Sequence, residues 1–78
     1  MSDMTDLERA WLGEVGMRLR LARVRRRLSQ REAAAIAELS SVTLGSIERA
    51  DHVAGVLAYV RAARAVGLSL DELLPDAP

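Results

Sequence analysis

The 78-residue sequence predicts an all-α domain: a bundle of about five short helices with a short N-terminal helical extension. Three observations predict it. Leu and Ala, 12 and 13 residues, dominate the apolar half of the chain, and Trp11 and Tyr59 are the only Trp, Tyr or Phe. Such a composition favours helix over strand. The helix-start signature Ser/Thr-x-x-Glu occurs three times, at Thr5–Glu8, Ser29–Glu32 and Ser69–Glu72. Each pair sets a hydroxyl at the N-cap and a carboxylate three residues on, so that two otherwise orphaned backbone donors are satisfied. No stretch carries a competing alternation of apolar and polar residues.

The elements follow in order. Thr5 starts a short leading helix over 6–14, with Leu7, Ala10 and Trp11 at helical spacing, and Gly13 and Gly16 weaken its continuation. Residues 16–27 carry Leu19, Ala22 and Arg23 on one face. Ser29 opens 30–37, with Ala33, Ala34 and Ala37. Ser40, an N-cap without the Glu, opens 41–49, with Leu44, Ile47 and Glu48. Residues 56–66 carry Val56, Tyr59, Val60, Ala63 and Val66, with Gly67 at the C′ position that favours left-handed backbone. Ser69 opens a last turn over 70–74, stopped by Pro75. The expected organisation is an extension over 1–14, one domain over 15–74 and a frayed tail over 75–78.

Composition excludes several functions. With no Cys and only His52, there is no disulfide framework, thiolate site or histidine metal cluster to assemble. Neither a nucleophile–base set nor a Gly-rich phosphate loop is present, so no enzyme, cofactor or metal is expected. Asp71 and Glu72 read as helix-start carboxylates. No apolar run approaches the roughly 20 residues of a membrane span, and the acidic start Met1–Asp6 lacks a signal peptide's basic region. The expected location is cytoplasmic, associated with the nucleoid. The net charge of zero speaks against nucleic acid only until the charges are placed. Residues 18–31 hold seven Arg and no acid, and the segments 1–17, 32–50 and 51–78 offset them with −3, −2 and −2. Acids beyond about 10 Å are largely screened, so the block keeps its attraction for phosphates.

The segment from Leu28 to Ala50 sets two short helices around a connection of Glu38 to Ser40. Small Ala34 and Ala37 permit close approach, Leu39 plugs the angle, and Leu44 and Ile47 anchor the second helix. This is the recipe of a helix-turn-helix. Leu28-Ser29-Gln30, Ala34, Ser40 and Ile47-Glu48-Arg49 resemble the lambda-repressor-like (XRE-type) DNA-binding family without a gap. The likeness extends back through Gly16, Arg18, Leu19, Arg20 and Arg23, and forward from Ala65 to Leu74, so it covers about residues 15–74. Where that family carries Gly, this chain has Glu38 in the turn and Ala50 after the Glu-Arg pair. Where the family has Leu early in the second helix it has Ala33, and Ala54-Gly55 replaces a frequent Pro-Ser pair.

The resemblance implies a five-helix bundle that reads double-stranded DNA. It implies that Gln30, at a helix N-terminus, grips a phosphate with Arg31 beside it. Arg20, Arg27 and Arg49 are further phosphate candidates. The third helix is expected in the major groove, presenting Ser40, Ser41, Val42, Thr43, Gly45 and Ser46. These are short, so modest specificity is expected, helped by backbone approach at Gly45 and by DNA shape. Arg23 and Glu48 match positions of a structural ion pair. His52 reads as an exposed loop residue. The expected function is a sequence-specific transcriptional regulator, a homodimeric repressor on an inverted-repeat operator. The dimer surface lies either in the leading segment, with Leu7, Trp11 and Leu12, or in the fifth helix, with Leu70, Leu73 and Leu74. Contact of the acidic 32–51 region with RNA polymerase would allow activation instead. The alternative on this scaffold is a protein-interaction module, antitoxin-like or a polymerase adaptor.

Overall fold

A computed structural model describes residues 3–78; the first two residues of the expected extension lie outside them. The described residues form five helices and no strand: α1 (Asp6–Arg25), α2 (Gln30–Ala37), α3 (Ser41–Arg49), α4 (Val56–Ala65) and α5 (Leu70–Leu73). α1 packs on α3 and α5, α2 packs on α3 and α4, and α4 packs on α5. The core at their centre comprises Val15, Leu19, Ala33, Ala34, Leu44, Ile47, Ala62, Ala63, Val66 and Leu73.

Local chemistry sets the helix starts. In all three Ser/Thr-x-x-Glu pairs the hydroxyl accepts the N3 N–H at 3.0–3.1 Å, and the Glu accepts the cap N–H at 2.8–2.9 Å. Backbone and hydroxyl of Ser29 and Ser69 hold the Glu32 and Glu72 carboxyls below their ordinary range. A depressed folded pKa gives stability that is complete above the unfolded value and is lost as pH falls through the folded one. Glu32→Gln with Glu72→Gln, which keeps the caps but not the charges, is therefore expected to flatten the acid limb of stability against pH in denaturant melts.

The connections repeat one device. Arg27-Leu28-Ser29, Glu38-Leu39-Ser40 and Gly67-Leu68-Ser69 each begin with left-handed backbone, at φ 58°, 57° and 79°. The next residue, a Leu, donates its N–H back to the carbonyl five residues earlier, at 2.9–3.2 Å, and packs against the core. The Ser then caps the following helix. Ala50, at φ 55°, ends α3 the same way, but without the Leu and Ser. Only Gly67 adopts this backbone without a Cβ penalty. Glu38→Gly and Ala50→Gly are each expected to raise stability by about 1 kcal/mol, the left-handed cost less the entropy of a more flexible unfolded chain. Thermal unfolding of the two variants and their double checks this.

Three expectations need correction. The leading segment and the next helix are one 20-residue helix, because Gly16 sits where α1 crosses α3 and packing there outweighs its weak propensity. Leu73 is fully buried in the core, so it is unavailable to a dimer. The tail expected to fray supplies the Pro75 and Asp76 carbonyls to the Trp11 indole N–H, at 3.2 and 2.8 Å.

Candidate DNA interface

α2 and α3 meet through Ala33, Ala34 and Ala37 on one side and Leu44 and Ile47 on the other, all buried, with Leu39 packed against the core as the expected plug. α1 fixes this pair from behind. A Cβ on Gly16 would lie 2.5 and 2.6 Å from the Glu48 and Ile47 carbonyl oxygens, so α1 and α3 touch backbone to backbone. About two turns further along α1, Arg23 grips Glu48 with both prongs, Nε to Oε2 at 2.6 Å and Nη2 to Oε1 at 3.0 Å. Its Nη1 donates to the Leu28 carbonyl at 2.8 Å. The Gln30 amide donates to Glu48 Oε1 at 3.2 Å. The side chains of Arg23 and Glu48 are 12 % and 3 % exposed. Their hydrogen bonding raises the Arg23 pKa further above its ordinary value, against the opposing effect of burial. The pair therefore joins α1, α3 and the start of α2 in one network, and among the described residues no buried side-chain polar atom lacks a partner.

Above this network lies a shallow polar hollow walled by Arg20, Gln30 and Arg49, with Arg23 and Glu48 at its base. Arg31 is exposed in the first turn of α2, and Arg27 is exposed on the turn before it. The block of seven Arg is thus divided by the fold. Arg23 turns inward. Arg18 donates to the Glu72 carbonyl and to Glu14, Arg25 borders a hollow with Leu68 and Glu72, and the Arg26 guanidinium lies against Gly67. That leaves Arg20, Arg27 and Arg31, joined by Arg49, for the α2–α3 face.

On α3, Ser41 and Val42 are exposed and Thr43 and Ser46 half-buried. Two residues assigned to DNA are placed differently. The Ser40 hydroxyl accepts the Thr43 N–H at 3.0 Å and donates to Thr43 Oγ1 at 2.9 Å, so the cap occupies it. Gly45 is buried, with Arg49 Nη1 2.9 Å and Gln30 Oε1 3.6 Å from where its Cβ would stand. Its backbone is therefore covered, though by the mobile ends of side chains. Arg49 is held there by Asp51, at 2.7 Å in an exposed ion pair.

Of the residues expected at a dimer surface, Trp11, Leu12, Leu70 and Leu74 line one apolar groove with Val53, Ala54, Val56 and Tyr59. Leu7 is 71 % exposed. The sequence offered both the leading segment and the fifth helix, and the groove joins them. Val53 and Val56, 61 % and 74 % exposed, were not expected there. Val56 reads as core from periodicity because it opens an apolar helix, yet it sits in the first turn, beyond the packed layer. Gly16 was read as a weak helix position, and the one signal of a further role was the family likeness that runs through it.

Two short helices at a tight turn, braced by a third and edged with arginine, define a helix-turn-helix protein of the DNA-binding kind. The chain matches the helix-turn-helix domain family over residues 14–75, and it belongs to that family. Among solved structures it is similar to the restriction-modification controller protein C.AhdI from Aeromonas hydrophila, at 29 % identity over 83 % of this chain and 98 % of that one, with a TM-score of 0.78. No curated protein matches it. At this level the protein is a DNA-binding transcriptional regulator. No helix among the described residues is long and apolar enough to cross a membrane.

Proposed function

We propose that the protein is a homodimeric repressor that occupies an inverted-repeat operator. The observation that carries this reading is the hollow of Arg20, Gln30 and Arg49, seated on the buried Arg23–Glu48 pair where the start of α2 meets the last turn of α3. Arg20, Gln30 and Arg49 then act on the DNA backbone, with Arg27 and Arg31 at its margin. Gln30 keeps one amide hydrogen for a phosphate while the other stays on Glu48. Arg49 exchanges Asp51 for a phosphate and uncovers Gly45. Ser41, Val42, Thr43 and Ser46 face base edges, where short hydroxyls accept either base type and Val42 suits a thymine methyl. Without a bidentate side chain at these positions, groove shape carries much of the selectivity.

The apolar groove supports the dimer. Two copies joined there by Trp11, Val53, Val56 and Leu74 cover apolar surface and present two α3 helices about one DNA turn, 34 Å, apart. Selection of duplexes from a random pool tests the reading. The expected result is a symmetric pair of half-sites about one turn apart, with Val56→Glu weakening recovery of the pair. Recovery of no duplex above background would overturn the DNA reading and favour a protein-interaction module. Recovery of a single asymmetric site, unaffected by Val56→Glu, would overturn the dimer.

A further inference from the structure

We propose that the outer face of α1 is a second self-association surface, on which α1 of another copy lies antiparallel. On this face Leu7, Ala10, Glu14, Met17, Leu21 and Val24 recur at alternating intervals of three and four residues, the seam spacing of paired helices. Leu7, Met17, Leu21 and Val24 are 71 %, 51 %, 49 % and 54 % exposed, although the same helix already buries Val15 and Leu19 on its other side. A soluble helix rarely keeps a second apolar stripe in water unless something covers it.

The occupant is a second copy because the helix complements itself. Residues 6–15 hold Asp6, Glu8, Glu14 and Arg9, whereas residues 16–25 hold four Arg and no acid. Only the antiparallel arrangement sets the acidic half of one helix along the basic half of the other. About a two-fold axis between residues 15 and 16, Leu7 meets Val24, Ala10 meets Leu21 and Glu14 meets Met17 of the other copy. Glu14 also comes beside Arg18 of that copy, twice by symmetry. Glu14, the one charged member of the stripe, already pairs with Arg18 at its edge, 3.3 Å away. Small Ala10 receives Leu21, and a Cβ at neighbouring Gly13 would have no atom within 4 Å, so the approach is open. This face is separate from the apolar groove, which α1 borders with Trp11 and Leu12. A chain with two isologous faces assembles beyond a dimer.

The chain has no Cys, so single cysteines in the full-length protein report the geometry under a mild oxidant. Across the proposed axis the two Met17 positions are offset by about 4–5 Å along the helices, and the two Val24 positions by about 25 Å. Met17→Cys is expected to cross-link about tenfold faster than Ala77→Cys, a control on the tail, because held neighbours have a raised effective concentration. Leu7→Cys alone and Val24→Cys alone are expected at the control rate, and their mixture is expected to cross-link at the fast rate. Leu21→Glu should return Met17→Cys to the control rate. Met17→Cys at the control rate in the parent background, or Val24→Cys self-linking as fast as Met17→Cys, or a slow mixture, would each overturn the proposal. Repeating Met17→Cys with Val56→Glu separates it from the operator dimer. Persistent fast linking keeps the α1 surface whatever becomes of the groove, and its loss would assign the linking to the groove and overturn a second face.

Discussion

Replacing Glu48 with alanine is expected to cost about 3–5 kcal/mol, the loss typical of removing one partner from a buried ion pair. The side chain accepts from three donors, two on Arg23 and one on Gln30. Without it the Arg23 guanidinium stays almost enclosed with only the Leu28 carbonyl to accept from it. Against a total stability of about 5–15 kcal/mol for a domain, such a loss leaves little reserve. Denaturant unfolding measures it. The control is Arg23→Met with Glu48→Met, which removes both charges and keeps apolar volume. Because an apolar replacement of a buried pair is often neutral or better, the double variant is expected to recover most of the stability. It is not expected to recover DNA binding, since Gln30 loses the acceptor that orients it.

Gly16→Ala carries the second large effect, and its sign runs against helix propensity. Alanine in a helix interior is favoured over glycine by about 1 kcal/mol. At Gly16, however, the new methyl would meet the Ile47 and Glu48 carbonyls at 2.5–2.6 Å. Those are backbone atoms of α3 and have no rotamer to turn away. Relief requires α1 and α3 to separate, and overpacking of this kind costs about 1–3 kcal/mol. Gly13→Ala is the internal control. Nothing lies within 4 Å of its Cβ, so it is expected to gain about 0.5–1 kcal/mol. Thermal melts should therefore move in opposite directions, by roughly 4–8 °C per kcal/mol for a domain this size. Gly16→Ala should also weaken DNA binding beyond its effect on stability, because it displaces α3 from Arg20.

What the sequence disclosed was chemistry of short range. Thr5, Ser29 and Ser69 each sit three residues before the Glu that completes the cap, and those helix starts needed no tertiary knowledge. The helix-turn-helix was legible because Ala34, Ala37, Leu39, Leu44 and Ile47 fix its angle through size and spacing. The partnership of Arg23 and Glu48 was legible through the family resemblance, since nothing local links residues 25 apart. What stayed hidden depended on which element lies across from a residue. Gly16 reads as a weak helix position until α3 is known to cross it. Leu73 resembles its neighbours Leu70 and Leu74, and only the packing of α5 separates a fully buried side chain from two half-buried ones that line the groove. The Arg block reads as one patch along the chain, yet helical rotation sends Arg18 and Arg25 towards α5 and Arg23 into the protein. Gly45 looked open because the long arms of Arg49 and Gln30 that cover it belong to other positions. The connector of left-handed residue, Leu and Ser escaped because its first member is Arg, Glu or Gly, and conformation rather than identity is what repeats.

The central claim is that Arg20 and Arg49, set by the Arg23–Glu48 network, neutralise DNA phosphates. Fluorescence anisotropy of a labelled duplex across a salt series tests it most directly, with Arg20→Ala, Arg49→Ala and, as control, Arg64→Ala on the exposed side of α4. The slope of log affinity against log salt should fall by about 0.9 for each phosphate contact removed. The account predicts that drop for Arg20→Ala and again for Arg49→Ala, with the Arg64→Ala slope unchanged. A slope that is the same in all three variants as in the parent protein would contradict it.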